Sequence, residues 1–166
     1  MEYIYRRADM EDVDRLWYMM DALDGETEFM LYEPGERPKD LARLMASVNA
    51  SVEDGDLLLL CEAEGEIVGY IYAQRGALNR IKHTAYIVTG IRRAHRNRGI
   101  GGEFFKRVEE WARESGVTRL ELTVMCPNTA AKHLYEKHGF IVAGIRTNSM
   151  MVAGVYVDEY YMARLI

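Results

Sequence analysis

The sequence has few of the residues that crosslink small secreted proteins or interrupt regular structure. It contains three prolines and two cysteines in 166 residues. Cys61 and Cys126 lie far apart and form no metal-ligand spacing, so we predict no metal site and expect free buried thiols in a reducing compartment. No apolar run reaches membrane-spanning length, and the charged segment 1–10 is unlike a signal peptide. We therefore expect a cytoplasmic protein without a membrane partner.

The sequence also lacks an excess of basic residues. Lys and Arg number 21 against 26 Asp and Glu, which gives a formal net charge of −5. This balance does not favour a nucleic-acid partner. The hydrophobic content of 49% and the charged content of 28% are those of a folded globular protein. A chain of this length, without repeats, predicts a single domain over residues 1–166.

One basic, glycine-rich stretch stands out against this acidic background. Arg96–Gly102 (RNRGIGG) follows the alternating apolar run Thr84–Ile91 and leads directly into a helical pattern. The first turn of a helix has N–H groups without intrahelical partners, and glycines allow an anion to approach them. Arg92, Arg93 and His95 add positive charge. The stretch therefore predicts a polyphosphate site.

The spacing of the glycines narrows the choice of ligand. Gly101-Gly102-Glu103 is not the Gly-Lys-Ser/Thr of a Walker loop, and a dinucleotide fingerprint would need glycine at Phe104. What remains, Arg-x-x-Gly-x-Gly over Arg96–Gly101, resembles the pyrophosphate loop of the GNAT superfamily of acetyl-CoA-dependent N-acyltransferases. Taken alone, so short a match also fits an ordinary β–α connection with a solvated arginine run.

A second stretch strengthens the resemblance. Asn128–Phe140 (NTAAKHLYEKHGF) is similar to the superfamily's other signature, N-x-x-A-x-x-L-Y-x-x-x-G-F. The two signatures come in the expected order, and the resemblance is close over residues 82–140. The chain is thereby identified as a member of the GNAT superfamily. Looser similarities at Glu33–Arg37 and Tyr156–Arg164 resemble a bacterial branch that acetylates small amino-acid-type amines.

The resemblance implies an α/β, three-layer GNAT fold. Its sheet is mixed and mostly antiparallel, with about seven strands, a splay between strands 4 and 5, and four flanking helices. The residue patterns predict strands at Tyr3–Arg7, Asp56–Glu62, Glu66–Ala73, Lys82–Ile91, Arg119–Met125, Phe140–Met151 and Val155–Ile166. They predict a first helix capped by Asp9 and further helices at Pro38–Ala50, Ile100–Ser115 and Thr129–His138.

The resemblance also implies acetyl-CoA as the co-substrate. In the superfamily, the pantetheine arm pairs with backbone groups that the splay leaves free, and here Gly90, Ile91 and Arg93 would supply them. Asn128 would contact the same arm. The residues implied for the pyrophosphate are Arg92, Arg93, Arg96, Asn97, Arg98, Gly99, Ile100, Gly101 and Gly102.

Acyl transfer from a thioester to an amine requires a neutral amine, a stabilised oxyanion and a protonated leaving thiolate. An N–H near Ile91 is the predicted oxyanion donor. Tyr135 is suited to protonate the leaving thiolate. A phenol has a pKa of about 10 and a thiol about 8.5, so the phenol stays neutral and can lend its proton to the departing sulfur. The tyrosine at this position of the motif has that role in the superfamily. The alternative is a core aromatic residue with its hydroxyl at the surface.

The general base is not evident from the sequence. The positions where relatives carry a glutamate correspond to Tyr86 and Thr123, and neither is acidic. Glu121 shares a strand face with Thr123 and could act through a water. Further options are His83, Asp158 and Glu159. An α-amino group with a pKa of about 7.7–8.0 would need no base.

The acceptor is expected to be a primary amine of a small molecule (an amino acid, an aminoacyl amide or a polyamine) or of a protein N-terminus. In the superfamily, the region between the first two helices walls the acceptor site. Glu28, Glu33 or Glu36, with Tyr86, would then meet the amine, unless this segment is a solvated acidic loop. The alternatives are a non-catalytic acyl-CoA sensor and a small nucleic-acid-binding domain. A homodimer is also implied by the resemblance.

Overall fold

A computed structural model describes all residues, 1–166, as a seven-stranded sheet with four helices. The strands are β1 (Ile4–Arg7), β2 (Leu57–Ala63), β3 (Glu66–Arg75), β4 (Thr84–Ile91), β5 (Arg119–Met125), β6 (Ile141–Val152) and β7 (Val155–Leu165). The helices are α1 (Val13–Asp24), α2 (Leu41–Glu53), α3 (Ile100–Ser115) and α4 (Thr129–Lys137). The strand order is β1-β2-β3-β4-β5-β7-β6, and only β4 and β5 pair in parallel.

The sheet is covered on both faces, which explains the unbroken apolar run of β2. Nearly every residue of Leu57–Ala63 is buried, as expected for a strand between two helical layers. α1 and α2 pack on one face with Leu58, Leu60 and Tyr70. α3 and α4 pack on the other face, where Phe104 and Phe105 lie in the core. The predicted three-layer architecture is confirmed.

The predicted splay is present. Parallel pairing joins only Thr84–Tyr86 of β4 to Arg119–Glu121 of β5. Beyond Tyr86 the two strands lose their pairing, while β5 stays paired to β7 as far as Met125. The C-terminal half of β4 therefore has one free edge, which faces a gap between β4 and β5.

Several predicted boundaries shift. α2 begins at Leu41 rather than near Pro38, because the Asp40 side chain caps it by accepting a hydrogen bond from Arg43 N (3.1 Å). Asp9 caps a 3-10 turn at Met10–Asp12 that leads into α1. β4 begins at Thr84 rather than Lys82. Of the two cysteines expected to be buried, Cys61 is buried but Cys126 is only half-buried.

None of the helices is long and apolar enough to cross a membrane. No group of three or more His, Cys, Asp or Glu side chains is arranged to hold a metal ion.

Candidate active site at the β4–β5 gap

The free edge of β4 presents the backbone groups of alternate residues. Arg92 N donates to Val68 O of β3 (2.9 Å), so alternation turns the backbone groups of Gly90 toward β3 and those of Thr89 and Ile91 toward the gap. The carbonyl of Gly90 indeed lies 3.3 Å from the point where a Cβ on Gly69 would be. Our expectation that Gly90 offers backbone groups to a ligand is therefore wrong, whereas Ile91 is placed to do so.

Gly90 has another reason to be glycine. A Cβ at this position would lie 2.3 Å from Leu23 Cδ2, closer than real Cβ contacts, and 3.1 Å from Tyr70 Cε1, which is tighter than most of them. The missing side chain lets α1 pack directly against β4. The glycine thus fixes the distance between this helix and the strand that borders the gap.

The glycine-rich loop carries the chain from β4 into α3 as predicted. Asn97 and Gly99 adopt left-handed conformations, with φ of 58° and 84°, and α3 begins at the buried Ile100. The amides of Ile100, Gly101 and Gly102 lie in the first helical turn, where no intrahelical acceptor exists. This set of free N–H groups at a helix N-terminus fits a diphosphate.

Gly101 has a packing role as well as an open backbone. A Cβ there would lie 2.7 Å from Leu134 Cδ2, so the start of α3 lies directly against α4. This contact brings the loop and the second signature motif together.

The predicted arginine cluster is divided between different partners. Arg98 is exposed and has no ion-pair partner, whereas Arg96 Nε donates to Ile91 O (3.1 Å). Arg92 Nε donates to Glu26 Oε1 (2.8 Å), and Arg93 N donates to Glu26 Oε2 (2.7 Å). The Arg93 guanidinium also donates to the Glu26 carbonyl. Only part of the cluster's charge is therefore free for an anion.

Glu26 is the residue that the sequence reasoning missed. Burial would raise the pKa of its carboxyl, but hydrogen bonds from Arg93 N and the Arg92 side chain outweigh burial and lower it. Glu26 thus ties the segment after α1 to the end of β4. A partial signal was available, since an arginine run in an acidic chain needs counter-charges, but the partner lies 66 residues away from Arg92.

Tyr135 lies in the wall of the gap with its ring in the core. It is 9% exposed, and its ring meets Phe105 edge-on at 5.5 Å. Ser149 Oγ is the only fully buried side-chain polar atom that has no hydrogen-bond partner. The Tyr135 hydroxyl also has no hydrogen-bond partner, so it is not fully buried and keeps access to solvent. Burial raises the pKa of Tyr135 to about 12, and the phenols of Tyr70 and Tyr86 contribute in the same direction. Tyr135 is therefore a neutral donor at physiological pH.

Asn128 is positioned by its own helix. Its Oδ1 accepts a hydrogen bond from Ala131 N (3.3 Å) and caps α4. The side-chain amide N–H₂ group remains available as a donor beside the gap.

The sheet face on the α1 side of the gap carries a row of polar side chains. The Tyr86 hydroxyl and Thr123 Oγ1 are 2.9 Å apart. Next to them, Glu121 accepts hydrogen bonds from Arg119 and Tyr161 on the same carboxylate oxygen. Glu121, proposed from the sequence as a base, is thus already held by two donors.

A cavity of about 240 Å³ lies at the C-terminal end of β5. Its lining residues come from the segment after α1, from the end of β5 and from the β6–β7 hairpin: Glu28, Phe29, Met125, Pro127, Val152, Ala153 and Val157. Glu28 is thus at the cavity, while Glu33 is exposed in a turn in which its N–H donates to Glu36 Oε2 (2.8 Å). A broader, open depression on α4 is lined by Thr129, Ala130, Lys132, His133 and Glu136, and lies on the helix face away from Leu134.

A family model described as the acetyltransferase (GNAT) family matches residues 17–140. The chain belongs to this GNAT family. It is 30% identical to an acetyltransferase of Sodalis glossinidius over 135 residues, which cover 81% of this chain and 82% of that protein. It is 32% identical to the L-amino acid N-acetyltransferase AaaT of Escherichia coli over 106 residues, 61% of this chain and 64% of AaaT. This match therefore spans less than two thirds of AaaT.

Solved structures agree with this assignment. A GNAT acetyltransferase from Streptococcus pneumoniae has a TM-score of 0.93 and 28% identity, with 99% of both chains covered. YncA of Salmonella typhimurium, solved with its cofactor acetyl-CoA, has a TM-score of 0.86 at 20% identity, with 99% of this chain and 94% of that chain covered. The latter likeness shows the fold. The predicted GNAT fold is confirmed, and the chain is an acetyltransferase rather than a sensor module.

The segment after α1, which borders the β4–β5 gap, is held by an ion pair in addition to the contacts of Glu26. The Asp24 carboxylate, at the end of α1, accepts hydrogen bonds from Arg37 Nε (2.6 Å) and Arg37 Nη2 (3.0 Å). The Asp24 side chain is fully buried. The segment carrying Glu28 and Phe29 is thus anchored at both ends.

Proposed function

We propose that this enzyme transfers the acetyl group of acetyl-CoA to a primary amine by direct attack, with Tyr135 as the general acid. The acceptor is a small molecule (an amino acid, an aminoacyl amide or a polyamine) or a protein N-terminus. The observation that carries the proposal is the meeting of three features at one gap. These are the free β4 edge at Ile91, the unpaired amides at the start of α3 and the accessible hydroxyl of Tyr135.

The residues around the gap suit acetyl-CoA. The first-turn amides of α3, with Arg98, would hold the diphosphate. The backbone groups of Thr89 and the N–H of Ile91 would pair with the pantetheine arm as an added strand does, while the Ile91 carbonyl accepts from Arg96. The Asn128 side chain could donate to the same arm. Acetyl-CoA supplies the acetyl group as a thioester.

Transfer forms an N–C bond and breaks a C–S bond. An N–H of the free β4 edge would donate to the carbonyl oxygen as charge develops on it. Tyr135 would donate its proton to the departing sulfur, and solvent would restore that proton. With a pKa of about 12 against about 8.5 for a thiol, complete transfer costs about 5 kcal/mol. Tyr135 therefore acts first as a hydrogen-bond donor to the sulfur.

The amine must lose a proton to attack. Glu121 receives the hydrogen bonds of Arg119 and Tyr161 on one carboxylate oxygen, and its other oxygen could accept the proton only through a water, so we assign no direct base. The α-amino group of a peptide N-terminus, with a pKa of about 7.7–8.0, is partly neutral at physiological pH and would need no base. The excess proton would pass to solvent across the open face at Tyr86 and Thr123.

We further propose that the enzyme acts in the cytoplasm as a homodimer. Support for pairing comes from exposed apolar side chains on the β6–β7 hairpin: Ile141 (69% exposed), Ile145 (60%), Val155 (63%) and Tyr156 (62%). β6 also forms an edge of the sheet, which another strand can extend. Light scattering of the purified chain tests this, and a monomer at micromolar concentration would contradict it.

The experiment that tests the proposed reaction measures thiol release from acetyl-CoA against a panel of amines. The panel contains amino acids, aminoacyl amides, polyamines and N-terminal peptides. We expect release that depends on the amine and falls at least tenfold in Tyr135→Phe. Acetyl-CoA binding without release for any amine would contradict the proposal.

A further inference from the structure

The cavity at the end of β5 is lined mainly by apolar side chains and carries a single charged group, a carboxylate. Five of its seven lining residues are hydrophobic, and the remaining side chains include the carboxylate of Glu28 but no cation. Its volume of about 240 Å³ is below the ~300–1,000 Å³ of typical drug-sized pockets. The cavity therefore suits a small apolar group next to a positively charged or neutral amine.

The arginines around this side of the molecule are already paired. Arg119 binds Glu121, and Arg146 lies 3.3 Å from Glu159, which is itself buried. Arg37 binds Asp24, and Arg92 binds Glu26. A ligand carboxylate in the cavity would meet the Glu28 carboxylate and no cation in the lining, and a buried charge without a partner is costly.

Of the other cations near β4, the Arg93 guanidinium donates to the Glu26 carbonyl and Arg96 to the Ile91 carbonyl, and neither residue lines the cavity. Two more lie at the opposite end of the strand. Arg80 and Lys82 are exposed in the connection that precedes β4. The cavity lies toward the other end of the gap, near Met125, which ends β5. Eight residues of extended strand separate the two ends of β4, a span of roughly 25 Å, which exceeds the reach of a lysine or arginine side chain.

We propose that the preferred acceptor is a primary amine with a small apolar body and no free carboxylate. Amino alcohols, aminoacyl amides, arylalkyl amines and apolar peptide N-termini belong to this class, and free amino acids do not. This inference rests on the proposed acetyl transfer, and it narrows the primary amines proposed there to those without a free carboxylate.

The sharpest test compares leucinol with leucine as acceptors, because the two share a side chain and have amines of similar basicity. We expect kcat/KM to be at least tenfold higher for leucinol. A kcat/KM for leucine equal to or above that for leucinol would overturn the inference and leave acetyl transfer intact. Acetyl-CoA binding without thiol release for any amine would overturn the proposed function and the inference with it.

A gain-of-function variant tests the missing cation directly. Ala153 lines the cavity and is exposed at the β6–β7 turn, so Ala153→Arg can add a positive charge without disturbing the core. We expect the variant to raise kcat/KM for leucine about tenfold and not for leucinol. Ala77→Arg, in the exposed connection between β3 and β4 and outside the lining, is the matched control and should change neither value. An equal effect of both variants, or of neither, would argue against the inference.

Discussion

On the proposed cofactor side of the β4–β5 gap, the groups that would face the ligand are mostly backbone amides of one local stretch, Arg96–Gly102. On the proposed acceptor side, they are side chains brought together from the segment after α1, the end of β5 and the β6–β7 hairpin. A site made of backbone amides needs glycines and the start of a helix, which neighbouring residues can specify. A site made of side chains from distant segments needs contacts that hold those segments together, and here Glu26 and Asp24 make such contacts.

The largest expected effect is on kcat and comes from removing the Tyr135 hydroxyl, which lies between the proposed cofactor and acceptor sides of the gap. Tyr135→Phe should lower kcat about 100-fold, because general-acid assistance contributes about 10²–10⁴. The dissociation constant for acetyl-CoA should stay within about twofold, because the groups proposed to hold the diphosphate and the pantetheine arm are unchanged. Steady-state kinetics and calorimetry measure the two quantities. Tyr86→Phe is the control on the acceptor face, and an equal loss of kcat in both variants would remove the distinction.

A second expected effect concerns the contact between α1 and β4. Gly90→Ala places a methyl group 2.3 Å from Leu23 Cδ2, and overpacking of this kind costs about 1–3 kcal/mol. Denaturant unfolding should show that loss. Gly144→Ala is the control, because nothing lies within 4 Å of a Cβ there. Equal stability of the two variants would mean that α1 does not depend on Gly90.

A third expected effect tests whether Glu26 serves the acceptor side. Glu26→Gln should weaken the anchor of the segment carrying Glu28 and raise the acceptor KM about tenfold. It also removes a negative charge beside Arg92 and Arg93, so acetyl-CoA should bind as tightly as before or more tightly. Kinetics with each substrate varied give both values.

The opposite directions of these two changes distinguish positioning from general damage to the fold. Glu33→Gln, in the exposed turn, is the control and should leave both values unchanged. Weaker acetyl-CoA binding in Glu26→Gln, with the acceptor KM unaltered, would contradict the assignment.

The smallest expected effect is on stability in acid. Asp12, Glu26 and Glu62 have carboxyl groups whose pKa is lowered, because hydrogen bonds from arginine side chains and backbone N–H groups outweigh burial. Groups of this kind stabilise the fold above their ordinary pKa, near pH 4, and lose that contribution as the pH falls through the lowered value. The free energy of unfolding should therefore decline below about pH 5, and Glu26→Gln should make the decline shallower. An identical decline in the variant would contradict this.

The same contrast explains what the sequence could predict. The glycine-rich loop and the start of α3 could be predicted from a stretch in which neighbouring residues determine the geometry, whereas the splay was implied by the resemblance to the GNAT superfamily. The pairing of Glu26 with Arg92 could not be predicted, because nothing local marks a carboxylate whose partner lies 66 residues away. The sequence could not show that the backbone groups of Gly90 point toward β3 rather than toward the gap, because this depends on the pairing register of β3 and β4. The neutralisation of Glu121 by Arg119 depended on rotamers that no pattern encodes.

The central claim is that acetyl-CoA pairs with the free edge of β4 and with the first turn of α3. Amide hydrogen exchange by NMR tests it most directly, with the amides of Ile91, Gly101 and Gly102 followed with and without acetyl-CoA. We predict that these amides exchange at least tenfold more slowly when acetyl-CoA is bound, while the exposed turn at Glu33–Glu36 is unaffected. Binding of acetyl-CoA without slower exchange at Ile91 and Gly101 would contradict the account.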